Sequence, residues 1–252
     1  MIIDAHVHCG IQDNSPPQAL RDYLDYSSGS GITGAVMFPP VTEIYDRWDY
    51  QFEDTVYWQK RRQRANEYLL YIGTDDFQVF PYFFIWNDFA VEQITMEHKG
   101  IKWHRHDDEP EYHYTSELCE KAVEEIRRRN MPVVLEEELA NTLCFIQEIA
   151  PGVKVIIPHL GGLNGGYEAI KANGLWALPN VYADTALAAS HEMQDYIHHY
   201  GTERLFFGSD FPFGDPKNEL KKVLRLKVSE REKDRLVAGN ILDLLATSNI
   251  TR

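Results

Sequence analysis

Two histidines spaced for a strand are the first residues in this chain that could do chemistry. In Asp4-Ala5-His6-Val7-His8, side chains two apart on a strand point the same way, so His6 and His8 present imidazoles to one point while Ala5 and Val7 face the other side. Neutral imidazole is a common ligand for zinc and other divalent transition metals. Two later apolar runs end in groups of the same kind. Val153-Lys154-Val155-Ile156-Ile157-Pro158-His159 closes on a histidine followed by Gly161 and Gly162, and Leu205-Phe206-Phe207-Gly208-Ser209-Asp210 closes on a carboxylate. Each has a plain structural alternative, since a strand-end aspartate commonly caps the next helix and a strand-end histidine often bonds only to backbone. Lys102 and His104 stand two apart as well and share a side. Cys9, Cys119 and Cys144 include no CxxC pair, so neither a disulfide framework nor a thiolate zinc site is signalled, and a reducing cytoplasm suits them best.

Groups at strand ends need strands that end together. Short β-branched or aromatic runs alternate with amphipathic stretches along the whole chain, the pattern of βαβ units and a parallel sheet. The strand candidates are Ile2 to Val7, Gly34 to Phe38, Val79 to Phe84, Gly100 to Trp103, Val133 to Leu135, Val153 to Ile157, Val181 to Ala183 and Leu205 to Phe207. That is the number that closes a (β/α)8 TIM barrel, whose active site gathers at the C-terminal ends of its strands. Helices are expected over Pro17 to Ser28, Thr55 to Leu70, Ser116 to Arg129, Leu139 to Ile149 and Met193 to Tyr200. In the third of these Leu118, Ala122, Val123 and Ile126 recur at helical spacing and should face the sheet. No linker or low-complexity tract divides the chain, so 1–252 is expected to be a single domain. The irregular stretch Val41 to Phe52, with Tyr45, Trp48 and Tyr50, follows the second strand and should lie over the active face, as a source of substrate contacts or as packing on the rim.

At 252 residues and 44% hydrophobic the chain is long enough for one well-cored barrel. Its net charge of -14 argues against nucleic acid or an anionic membrane as partner, leaving small molecules, and is compatible with a homo-oligomer. The basic runs Lys60-Arg61-Arg62 and Arg127-Arg128-Arg129 read as solvated helix faces. The first residues enter a strand directly, and no apolar stretch reaches the roughly 20 residues of a membrane helix.

Taken in order, DxHxH, GIKxH (Gly100 to His104), PHLGG (Pro158 to Gly162) and GSDFP (Gly208 to Pro212) resemble the amidohydrolase superfamily, within it the amidohydrolase-related branch that includes aminocarboxymuconate-semialdehyde decarboxylase. The tail from Glu232 to Leu245, with its Gly239-Asn240 step, is similar to that branch's closing helix. The resemblance implies a divalent metal, zinc or alternatively manganese, held by His6 and His8 and completed by Asp210, which also takes a proton from bound water. It implies that His159 orients the water or polarises the substrate, and that Lys102 and His104 meet an anionic substrate group. In binuclear relatives a lysine such as Lys102 is instead carboxylated and bridges two metals. The chain departs from the pattern after its fifth strand, where the branch has a histidine ligand and this sequence reads Pro132-Val133-Val134-Leu135-Glu136. Glu136 either replaces that imidazole as a ligand, giving a harder site that suits manganese, or has no ligand role. The expected activity is hydrolysis of a small carboxylate-bearing ester, lactone or amide by metal-activated water. The alternatives are non-oxidative decarboxylation of an aromatic or unsaturated acid, and a catalytically silent binding protein.

Overall fold

Eight apolar runs pair with their neighbours in chain order in the computed structural model, which describes residues 1–10 and 16–249. They are β1 (Ile2–His8), β2 (Ile32–Phe38), β3 (Gln78–Phe84), β4 (Gly100–His104), β5 (Val133–Glu136), β6 (Val155–Ile157), β7 (Val181–Asp184) and β8 (Leu205–Phe206), each parallel to the next. The last strand is short, and the residues just beyond it complete the ring. Ala5 N donates to Phe207 O at 2.8 Å, Asp210 N to His6 O at 2.8 Å and His8 N to Phe211 O at 2.9 Å. The sheet thus returns on β1 as the expected TIM barrel.

Around it run α1 (Leu20–Ser27), α2 (Val56–Tyr68), α3 (Glu117–Arg128), α4 (Leu139–Cys144, continued by a π turn to Ile149), α5 (Tyr167–Ala172) and α6 (Ser190–Tyr200), followed after β8 by α7 (Pro216–Leu224), α8 (Glu230–Asp234) and α9 (Asn240–Ala246). Ser116 caps α3 by accepting from Cys119 N at 3.1 Å. The buried stripe of α3 is Cys119, Ala122, Val123 and Ile126. Leu118, expected on that face, is 49% exposed because it lies one residue, about 100°, off the stripe. Arg62, read from sequence as part of a solvated face, is also corrected. It is 2% exposed and its Nη2 reaches Asp54 at 2.8 Å and Asp88 at 2.5 Å, pinning α2 to the loops beside it.

The barrel interior is filled by Ile3, Ala5, Val36, Phe38, Val134 and Phe206 among others, and Ile241, Leu244 and Leu245 of α9 pack into the same cluster. Bonds from Asn130 Nδ2 and Lys154 Nζ to Thr247, and from Ser248 Oγ to Lys99 O, tie the end of α9 to residues that precede β4, β5 and β6. The closing helix therefore stoppers the N-terminal end and leaves the C-terminal mouth open. β1 departs from regular alternation. Asp4 pairs with Ala35 and Val7 with Met37, so β1 carries one residue more than β2 between those pairs, a β-bulge. Ala5 consequently joins the interior with Ile3, and only Val7 faces outward as expected, against Tyr23 and Met37. No helix of the described residues is long and apolar enough to cross a membrane.

Candidate active site

Past the bulge, β1 aims both of its histidines into the mouth, where the turn after β8 delivers Asp210. His6 Nε2 stands 3.4 Å and His8 Nε2 3.3 Å from the same oxygen, Asp210 Oδ1. The other ring nitrogen of His6 is committed, with Nδ1 2.8 Å from Asp184 Oδ2 at the end of β7. A neutral His6 that gives its Nδ1 proton to Asp184 turns an unprotonated Nε2 toward a carboxylate oxygen, and that buried nitrogen has no hydrogen-bond partner. Two lone pairs facing each other in a buried site are repulsive, and a cation between them removes the repulsion. Burial pushes His8 down to about 4 despite the Asp210 carboxylate beside it, so its ring is neutral at pH 7. Burial works to raise the Asp210 carboxyl, but the His8 hydrogen bond and the neighbouring imidazoles hold it below its ordinary value. Ligands about 2.1 Å from a tetrahedral ion stand roughly 3.4 Å apart. The three residues fit a divalent metal in spacing and in the kind of atom each offers.

A second group of side chains converges on Glu136 at the end of β5. Lys102 Nζ lies 2.8 Å from Oε2, His104 Nε2 3.1 Å and His106 Nε2 3.0 Å from Oε1, and His159 Nε2 3.6 Å from Oε2. Burial would raise this carboxyl, yet the charges of His104 and Lys102 and its hydrogen bonds to His104 and His106 hold it well below the usual range. Burial likewise opposes charge on His159, but the nearby carboxylates of Glu136, Asp210 and Asp184 outweigh it and lift the ring to about 9. Ligand-capable atoms of Glu136, His6 and His159 lie within 4.8 Å of one another, so Glu136 adjoins the first group through His6. His106 is differently engaged. Arg47 Nη2, a donor only, reaches His106 Nδ1 at 3.1 Å, so in a neutral ring the proton sits on Nε2 and points at Glu136.

The strand ends are held under strain at these positions. His159, Leu160 and Asp210 adopt left-handed φ values of 57°, 47° and 56°, each costing about 1–3 kcal/mol for a residue other than glycine. Two bonds hold the first and last in place, from His159 N to Asp184 Oδ1 at 3.0 Å and from Asp210 N to His6 O at 2.8 Å. Strain of this kind gathers where geometry serves a ligand.

A cavity of about 210 Å³ opens above the two groups, with His8, Asp210, Glu136, His104, His106 and Arg47 on its walls and Leu163, Leu187 and Phe213 at its apolar rim. His6, His8, Asp210, Glu136, His159 and His104, all singled out in the sequence, are thus brought together. Lys102 is brought to Glu136 but is fully buried and does not line the cavity. The stretch Val41 to Phe52 lies over the mouth: Val41 and Arg47 line the cavity, Tyr45 donates to Glu109 Oε2 at 2.6 Å, and Arg47 forms an ion pair with Glu109. Sequence reasoning missed two residues. Asp184 carried a signal, a carboxylate closing an apolar run as Asp210 does. Arg47 carried none, since it is one charge in an aromatic loop.

The amidohydrolase family model matches residues 3–246. Among solved structures, a 2,6-dihydroxybenzoate decarboxylase complexed with 2,6-dihydroxybenzoate superimposes with a TM-score of 0.71 at 13% identity, covering 97% of this chain and 99% of its own. A protein described as a 2-pyrone-4,6-dicarboxylic acid hydrolase from Pseudomonas putida gives 0.66 at 17% identity over 98% and 97%. A dihydroxybenzoic acid decarboxylase from a Polaromonas species, with bound manganese and the inhibitor 2-nitroresorcinol, gives 0.69 at 12% identity over 97% and 96%. At these identities the likeness is one of fold. No curated protein sequence matches the chain.

Proposed function

The chain belongs to the amidohydrolase family, and from that premise we propose that it is a metal-dependent hydrolase of a small carboxylate-bearing ester, lactone or amide. It is an enzyme of a metal-dependent family whose structural neighbours include decarboxylases and a hydrolase. The observation that carries the proposal is the convergence of two imidazole nitrogens on one carboxylate oxygen, at 3.4 and 3.3 Å, beneath a cavity. In this reading His6, His8 and Asp210 hold one divalent ion, zinc or alternatively manganese, with Glu136 as a further ligand. Such an ion lowers the pKa of a water toward neutrality and polarises a carbonyl. Asp210 accepts a proton at a carboxylate oxygen, and His159, protonated at Nε2, orients the scissile group and gives its own proton to the leaving atom, the proton on Asp210 then making good that loss. Arg47 and His104, which also line the cavity, receive the substrate's carboxylate, Arg47 through its planar fork. Lys102 supports the cavity wall through Glu136. The whole of 1–252 acts as one domain in the cytoplasm.

Decarboxylation of an aromatic or unsaturated acid is the second reading, which the protonated His159 serves as well as it serves hydrolysis. Loss of carbon dioxide leaves a carbanion that must be protonated, and an imidazolium lifted to about 9 is a donor for it. Both readings are tested on protein purified without chelator, by metal analysis and a substrate panel in 18O-labelled water. Label entering a new carboxylate supports hydrolysis, and carbon dioxide release without label in the second product supports decarboxylation. Protein that takes up no divalent metal overturns both.

A further inference from the structure

The metal histidines face inward only because β1 breaks phase. Asp4 points outward, where its Oδ2 accepts from Tyr23 Oη of α1 at 3.0 Å. In an unbroken strand residues 4, 6 and 8 share a face, so His6 and His8 would follow Asp4 out of the barrel. The extra residue between the pairs Asp4 with Ala35 and Val7 with Met37 reverses that. At the bulge Asp4 Oδ1 accepts the backbone N–H of His6 at 3.2 Å, a bond from side chain to the residue two positions on that competes with ladder pairing. The same oxygen accepts Ser209 N at 2.9 Å, next to Asp210. One carboxylate oxygen thus fastens the backbone of the strand carrying His6 and His8 to the turn carrying Asp210.

We propose that Asp4 is a positioning residue for the metal site: its Oδ1 stabilises the bulge that turns His6 and His8 inward and sets their distance from Asp210. The proposal rests on the metal reading of those three residues. What it requires is an acceptor at Oδ1, which asparagine also supplies, while the bond to Tyr23 serves only to anchor α1.

The test is Co(II) binding followed by its visible d–d spectrum, with amide hydrogen exchange on the metal-free protein. Asp4→Ala should weaken Co(II) binding on the order of 10–100-fold and alter the spectrum, as the loss of groups that orient ligands does elsewhere. Asp4→Asn should restore affinity to within a few-fold and return the spectrum. Tyr23→Phe should leave both unchanged. In metal-free Asp4→Ala the His6 and Ser209 amides should exchange faster while Ala5, bonded to Phe207 O, does not. Should Asp4→Ala fail to fold, Asp4→Glu, which keeps the charge but displaces the oxygen, should show the same weakened binding and altered spectrum. Wild-type affinity and spectrum in the folded Ala or Glu variant would overturn the proposal, as would an Asn variant as impaired as Ala. Wild-type protein that binds no Co(II) overturns the metal reading instead, and the exchange pattern then decides the bulge separately.

Discussion

At the scale of single residues the site divides into groups that would hold a metal and groups that would move a proton, and substitutions should separate them. His6→Ala should release the metal and abolish turnover, because it removes a buried nitrogen that has no hydrogen-bond partner and stands 3.4 Å from Asp210 Oδ1, at ligand spacing. His159→Asn should retain the metal and lose on the order of 10²-fold or more in turnover, the usual cost of removing a general acid or base. Metal content of the purified variants checks both, and loss of metal from His159→Asn would make that histidine a ligand. Asp184→Asn should weaken metal binding about 10–100-fold, since an amide cannot hold His6 Nδ1–H as a carboxylate does. Glu136 needs two variants. Glu136→Ala leaves Lys102 buried without its counter-charge, at a cost on the order of 3–5 kcal/mol, so lower metal occupancy there can be indirect. Combining Glu136→Gln with Lys102→Met removes both charges, and occupancy that stays low in this double variant assigns Glu136 as a ligand.

At the scale of elements, close approach matters as much as chemistry. A Cβ on Gly208 would lie 3.0 Å from the His6 Cβ and 3.3 Å from that of Asp184, so the turn after β8 comes this near β1 and β7 because the residue has no side chain. Gly208→Ala should therefore push on His6 and the carboxylate that orients it, weakening metal binding more than it lowers the melting temperature, which titration and thermal unfolding measure together. The elements were largely legible from sequence. Strands buried on both faces read as apolar runs, and His159 and Asp210 were visible because each closes such a run. Leu118 was misplaced because two neighbouring apolar residues, Leu118 and Cys119, both fit a helical period, and packing chose the second. The bulge at Ala5 and His6 was illegible because an inserted residue leaves no mark in a pattern of alternation. Arg47 was equally hidden, since its role depends on Glu109 and His106, some 60 residues later, folding beneath it.

At the scale of the molecule, the barrel gathers several ionisable groups around one mouth, and its stability without metal should record their titration. His159 is lifted from an ordinary 6.5 to about 9, so the folded chain holds a proton there that the unfolded chain releases. Its contribution is fully present below pH 6.5 and is lost as pH rises through 9. His106 is raised as well, with burial opposing it and Glu136 prevailing, so it adds to the fall with the same sign. On the acid side opposing shifts overlap. His8, lowered to about 4, adds stability as pH rises toward 6.5, whereas Asp4, raised by burial to about 7, removes it over nearly the same interval. The clear signal is therefore the alkaline limb. At about 1.4 kcal/mol per pKa unit, His159 accounts for a loss on the order of 3 kcal/mol between pH 6.5 and 9. A divalent cation among His6, His8 and Asp210 repels the proton on His159, so loading the site should shrink this limb, and the metal-induced rise in melting temperature should be larger at pH 9 than at pH 6.5. Thermal melts of chelated and metal-loaded protein across this range check both statements. His159→Asn should remove most of the alkaline fall from the chelated series, and an undiminished fall in that variant would assign the limb to other groups.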